Sequence, residues 1–188
     1  RITAKAEDNN SAISMLEAEE MNVREILGKY IFASDNETME SVVLDELRRQ
    51  GLSLAVAEIT SGGLIGTRLS AIDASGDVFR GSVIPVSPAV RESMLQVPAD
   101  AVGTADAAAV LADAVRLSLG ADIGISTTGL HDIDVPSELP SGTTFLGISS
   151  AESTYVEQVR LPGDRERIRQ YSVISLLNYL RLKLQNAS

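Results

Sequence analysis

A turn with two consecutive glycines is the segment of this sequence best suited to hold a reacting ligand. It covers Glu58–Gly63 and joins a short apolar strand at Leu54–Ala57 to a helix. Glycine lets the backbone approach a ligand closely, and a helix start offers unpaired N–H groups, so the turn is suited to an anion or an oxyanion. The same sequence also suits a connection that only lets strand and helix pack closely. Both interpretations stay open.

A second candidate is Leu161–Glu166, which reads Leu-Pro-Gly-Asp-Arg-Glu. Gly163 permits a turn, Asp164 is placed to cap the helix that follows, and Arg165 stands in the first turn of that helix. A guanidinium adds five donors to a helix start that already favours anions. The alternative is a capped helix with Arg165 and Glu166 in solvent.

A third candidate is Ser126–Gly129, a run of hydroxyl side chains at the carboxyl end of a buried strand. Ligands of open α/β sheets bind at such strand ends. His131 follows closely and is the only histidine. Without a visible acid or nucleophile partner, it is interpreted as incidental rather than catalytic.

Composition excludes several classes of protein. The 188 residues carry a formal net charge of -10, which argues against a general nucleic-acid binder. No cysteine is present, so no thiolate nucleophile and no zinc–thiolate site is expected. We expect no metal and no other cofactor. No apolar run approaches the length of a membrane span, and the expected location is cytoplasmic.

Two helices are predicted before the strands begin. In residues 9–50, Leu16, Val23 and Ile26 follow helical spacing and form an apolar stripe that extends to Tyr30. Such a stripe has to be buried, on the same chain or on a second copy, which predicts a homo-oligomer. A second helix is expected to be capped near Asp35 and to end at Gly51.

Strands and helices alternate after Leu52, which predicts a three-layer α/β/α sandwich with an N-terminal helical arm. Pro85 predicts that its strand lies at a sheet edge or ends early. The predicted elements after the glycine turn are a strand at Phe79–Val86, a helix opened by Ser87-Pro88, a helix at Thr104–Leu119, strands at Ile123–Ser126, Thr143–Ile148 and Tyr155–Leu161, and a last helix from Asp164.

The three candidate segments, in this order, resemble the C-terminal domain of the competence/damage-inducible CinA family, also called nicotinamide-nucleotide amidases. The family turn reads Ala-Glu-Ser-Cys-Thr-Gly-Gly, and its Leu-Pro-Gly-Asp-Arg-Glu segment is matched in full. The resemblance runs from about Leu52 to Leu184. It implies a domain at residues 51–188. Residues 1–50 would be the arm that closes an upstream domain, with a MoaB-like domain further upstream.

The resemblance implies hydrolysis of the carboxamide of nicotinamide mononucleotide (NMN), without a metal, by a serine assisted by a lysine and a tyrosine. These three positions correspond here to Ile59, Arg91 and Val86. Isoleucine has no nucleophilic atom, and arginine does not lose its proton near neutral pH. The positions implied to hold substrate are kept: Glu58, Gly62, Gly63, Thr128, Gly129 and Arg165.

Three hypotheses follow. The first is a domain in which the amidase activity is weak or lost while a nucleotide pocket is retained. The second is an active amidase in which Thr60 or Ser61 serves as a shifted nucleophile. The third is a purely structural or oligomerisation domain. The expected partners are a small nucleotide and further copies of the chain, with no nucleic acid and no membrane.

Overall fold

A five-stranded mixed sheet forms the centre of the fold in a computed structural model, which describes residues 2–34, 37–129 and 139–186. Its strands lie in the order β2-β1-β3-β4-β5. Strand β1 is parallel to both neighbours, whereas β4 is antiparallel to β3 and to β5. The carboxyl ends of β1, β2 and β3 therefore lie at the same end of the sheet. The strands are β1 (Leu54–Glu58), β2 (Phe79–Val83), β3 (Ile123–Gly129), β4 (Thr143–Ser149) and β5 (Thr154–Arg160).

The helices begin and end at residues whose chemistry favours those positions. Thr104 caps α5 by accepting a hydrogen bond from the N–H of Ala107 at 3.1 Å. Pro88 is the first residue of α4, and Gly51 ends α2 with φ +68°. The α-helices of the described residues are α1 (Asn9–Leu27), α2 (Met39–Gln50), α3 (Leu64–Ser70), α4 (Pro88–Leu95), α5 (Ala105–Ser118) and α6 (Arg165–Asn186).

Helices cover both faces of the sheet, so the predicted three-layer α/β/α arrangement is confirmed. On one face, α2, α3 and α6 pack on alternate residues such as Val56 of β1 and Ile125 of β3. On the other face, α4 and α5 pack on Ala55 and Ala57 of β1. Because both faces are covered, every residue of β1 and β3 is buried. Strand β2 lies at the sheet edge and ends before Pro85, as that proline predicted.

The chain divides into two compact units, Arg1–Glu37 and Thr38–Ser188. The larger unit therefore begins before α2, not at residue 51, because Val43 and Leu47 of α2 are fully buried in the core. The cap of α2 is Thr38, whose hydroxyl accepts from the N–H of Ser41, rather than a residue near position 35. In the first unit, the predicted helix is present as α1, but α1 buries none of its side chains.

Candidate functional site

The carboxylate of Glu58 organises the glycine turn from inside. Glu58 is the last residue of β1 and is fully buried. Its Oε2 accepts hydrogen bonds from the Ser61 hydroxyl at 2.8 Å and from the N–H groups of Gly63 and Ile65 at 3.0 and 2.9 Å. Its Oε1 accepts from the N–H of Gly66 at 2.8 Å. The chain's own carboxylate thus occupies the anion site that a helix start offers, here at the start of α3.

The two hydroxyls offered as shifted nucleophiles lie inside the fold. Ser61 is fully buried, and its Oγ lies 2.9 Å from Oγ1 of Thr127 in addition to its contact with Glu58. Thr60 is 5% exposed. A Cβ placed on Gly129 would lie 3.2 Å from the Thr60 Oγ1, so the glycine turn and the end of β3 are in contact.

Ile59, at the nucleophile position, packs away from the hydrogen-bonded network of the turn. Its exposed fraction is 7%, and it belongs to an apolar cluster with Leu95 and Val97. Its backbone N–H donates to the Thr127 carbonyl at 3.0 Å. The side chain therefore contributes to the core between β1 and α4 and offers no polar atom.

Arg91, at the lysine position, is 5% exposed and donates four hydrogen bonds to backbone carbonyls. Its Nη1 donates to Pro85 and Val86 at 3.0 and 2.8 Å, and its Nε donates to Ala99 at 2.8 Å, with Nη2 on the same oxygen. The guanidinium thus ties the segment after β2 to the segment before α5. Val86, at the tyrosine position, is 62% exposed.

The hydroxyls at the end of β3 are also engaged in structural hydrogen bonds. Thr128 is fully buried, and its Oγ1 accepts from the N–H of Gly103 at 2.7 Å. Ser126 donates from its Oγ to the Ala108 carbonyl of α5 at 2.6 Å. Both contacts join β3 to the helical layer formed by α4 and α5. His131 lies outside the described residues.

An arginine of α6 reaches the glycine turn, but it is Arg169 rather than Arg165. Arg165 is exposed at the first position of α6. Arg169 donates from Nε to the Ser61 carbonyl and from Nη2 to the Gly62 carbonyl, both at 3.4 Å. These distances exceed the usual 2.7–3.2 Å of an N–H···O hydrogen bond, and Nη1 of the same guanidinium pairs with the Glu166 carboxylate at 3.5 Å. The sequence could have indicated Arg169, because it lies four residues after Arg165 and therefore on the same face of the helix.

Neither a metal cluster nor a membrane span is found in the part of the chain that the structure describes. Within residues 2–34, 37–129 and 139–186, no three histidine, cysteine, aspartate or glutamate residues are grouped to hold a metal ion. None of the described helices is both long and apolar enough to cross a bilayer.

Comparison with known proteins gives one family. The family model of the CinA C-terminal domain matches residues 36–184. A CinA-like protein of Frankia casuarinae is 35% identical over 189 residues, which cover 98% of this chain and 44% of that protein. One of Myxococcus xanthus is 33% identical over 191 residues, covering 98% of this chain and 45% of that protein. The chain thus spans less than half the length of these relatives.

Solved structures agree on the fold. A CinA superfamily protein of Klebsiella pneumoniae has a TM-score of 0.70 and 22% identity, covering 80% of this chain and 99% of its own. The competence/damage-inducible protein CihA of Agrobacterium tumefaciens has a TM-score of 0.70 and 23% identity, covering 82% and 98%.

Proposed function

Because the chain belongs to the CinA C-terminal domain family, we propose that it keeps the fold of a nicotinamide-nucleotide amidase without its amide hydrolysis, while the region beside the glycine turn still binds a nucleotide. Amide hydrolysis needs a nucleophile and a group that takes its proton. In this chain the two corresponding residues, Ile59 and Arg91, stabilise the fold instead.

The observation that carries the proposal is the state of Arg91. Its three donor nitrogens are directed at the carbonyls of Pro85, Val86 and Ala99, so the charged group is part of the scaffold. A guanidinium is not deprotonated near neutral pH and cannot act as the base. The nucleophile is also missing, since the side chain of Ile59 has only carbon atoms and packs in an apolar cluster.

One contact favours the alternative of an active enzyme. The Ser61 hydroxyl donates to the Glu58 carboxylate at 2.8 Å, which is the spacing of a nucleophile and its base. Against this, Ser61 has no exposed surface, and the same Glu58 oxygen also accepts from Gly63 and Ile65. These additional donors are the hydrogen bonds of a helix cap, and they favour a structural role for the pair.

Nucleotide binding is proposed on the basis of α6. The first N–H groups of α3 already donate to the Glu58 carboxylate and are not free to bind a phosphate. A phosphate at the turn would therefore need a cationic side chain. Arg169 lies against the turn with long hydrogen bonds, and Arg165 is one helical turn away and exposed. A guanidinium is well suited to bind phosphate through two parallel N–H groups.

Binding and hydrolysis are tested separately on the same protein. Titration calorimetry measures binding of NMN, and a coupled assay measures the ammonia released. We expect binding without ammonia release. Arg169→Gln is expected to weaken binding about tenfold, as for loss of one charge-assisted hydrogen bond. Arg160→Gln, an exposed arginine at the end of β5, is the matched control and should bind as the unmodified protein does. Failure of NMN to bind at all would refute the binding part of the proposal.

A further inference from the structure

A separate cavity lies at the other end of the sheet from the glycine turn. It has a volume of about 630 Å³ and is lined by residues that precede β1 and β3, including Leu52 and Asp122, and by the hairpin between β4 and β5 at Ser150–Ser153. The glycine turn follows the opposite end of β1. The volume is within the range of small-molecule sites, which is roughly 300 to 1,000 Å³.

The wall of this cavity is mixed, with apolar side chains beside polar and charged ones. It includes Ile123 of β3, Ile148 of β4 and Leu180 of α6, all of which are buried core residues, together with the ring of Tyr155. The three aliphatic residues are at most 6% exposed, so a ligand body would cover mainly the carbon surface of Tyr155, which is 43% exposed, and exclude water from it.

Lys183 supplies a cation whose contacts differ from those of the other charged lining residues. Its Nζ lies 3.8 Å from the centroid of the Tyr155 ring and 5.5 Å from that of Tyr179. Within the described part of the chain, its contacts are with these rings rather than with a carboxylate. The N–H groups of the ammonium that point away from the rings can donate to a ligand.

The other three charged groups of the lining are one arginine and two carboxylates. Arg116 is paired with Asp113 through Nε and Nη2, at 3.2 and 2.8 Å. Asp122 accepts at Oδ2 from the N–H and the hydroxyl of Ser53, at 2.8 and 2.6 Å. Glu152 is exposed on the hairpin. Because Arg116 is held by Asp113, the lining cation left to bind an anion is Lys183.

We propose that this cavity binds a small carboxylate with an aromatic or aliphatic body, whose carboxylate accepts hydrogen bonds from Lys183 while its body packs on the exposed carbon surface beside Tyr155. The site is independent of the glycine turn and of any activity there.

The test uses naphthalene-2-carboxylate and the neutral naphthalene-2-carboxamide, titrated into the 188-residue protein and followed by amide NMR shifts. We expect shifts centred on Ser150, Ser153 and Leu184, and about tenfold tighter binding of the carboxylate, as for one hydrogen bond to a charged group. Lys183→Gln should remove that preference and Lys183→Arg should keep it.

Two further variants keep the result interpretable. Ala151→Trp, at an exposed position of the lining, should block both probes without touching Lys183. Arg160→Gln, at the end of β5, should leave the binding of both probes unchanged. The proposal is overturned if neither probe binds, if the shifts lie elsewhere, or if Lys183→Gln retains the preference for the carboxylate.

Discussion

Replacing Arg91 by methionine tests whether this residue belongs to the scaffold. The substitution keeps most of the side-chain length but leaves the carbonyls of Pro85, Val86 and Ala99 without their donor. Each lost hydrogen bond to a charged group contributes roughly 1.5–3 kcal/mol, and part of that is recovered where water reaches the exposed Val86. We expect the free energy of unfolding to fall by about 3 kcal/mol, which lowers Tm by about 6–12 °C in a protein of this size.

Arg91→Lys provides a graded comparison. A single ammonium on a shorter stem reaches the carbonyl of Ala99 or that of Pro85 but does not span both. We therefore expect a free energy of unfolding between that of the unmodified protein and that of the methionine variant. Arg165→Met, at an exposed arginine of α6, is the control and should change stability by less than about 0.5 kcal/mol.

The assay is urea unfolding followed by far-ultraviolet circular dichroism, since the chain contains no tryptophan. A methionine variant as stable as the unmodified protein would show that the guanidinium is dispensable. The structural account of this position would then be wrong, and a role in binding would be favoured.

Two other predictions concern the scaffold. Gly124→Ala should lower stability by about 1–3 kcal/mol in the same assay, because a Cβ there would lie 2.0 Å from the Ala112 carbonyl, whereas Gly76→Ala, with open space, should be close to neutral. The hydrogen bonds from Ser53 lower the pKa of Asp122, so their stabilisation is present above the unfolded pKa near 3.8 and is lost as pH falls through the folded pKa. Ser53→Ala should therefore cost more stability near pH 6 than near pH 2, and an equal loss at both pH values would contradict this assignment.

Local signals were sufficient to predict most of the secondary structure. Thr104 before an alanine-rich run, Pro88 after a serine and Gly51 after a helix each specify a boundary through their own backbone or capping chemistry. The alternation of strands and helices then fixes the layered arrangement. The start of the larger unit at Thr38 was not predicted, because no local pattern shows that the apolar face of α2 packs in the same core as the sheet.

The site depends on contacts that no local pattern specifies. Glu58 was predicted to bind substrate, whereas in the structure its carboxylate accepts four hydrogen bonds from the turn that follows it. Arg169 donates a hydrogen bond to the carbonyl of Ser61, which lies 108 residues earlier in the sequence. This contact depends on the packing of α6 against the turn. Arg91 retains its charge, but the three carbonyls it binds are set by the path of the backbone around it.

The central claim is that this domain has the amidase fold without the amidase chemistry, and ammonia release from NMN tests it most directly. The unmodified protein and Ile59→Ser alone are expected to release none above background. The combined change of Ile59→Ser, Val86→Tyr and Arg91→Lys should raise the rate far beyond the product of the single effects, as for residues that act together. Rapid release by the unmodified protein that is abolished by Ser61→Ala would contradict the claim.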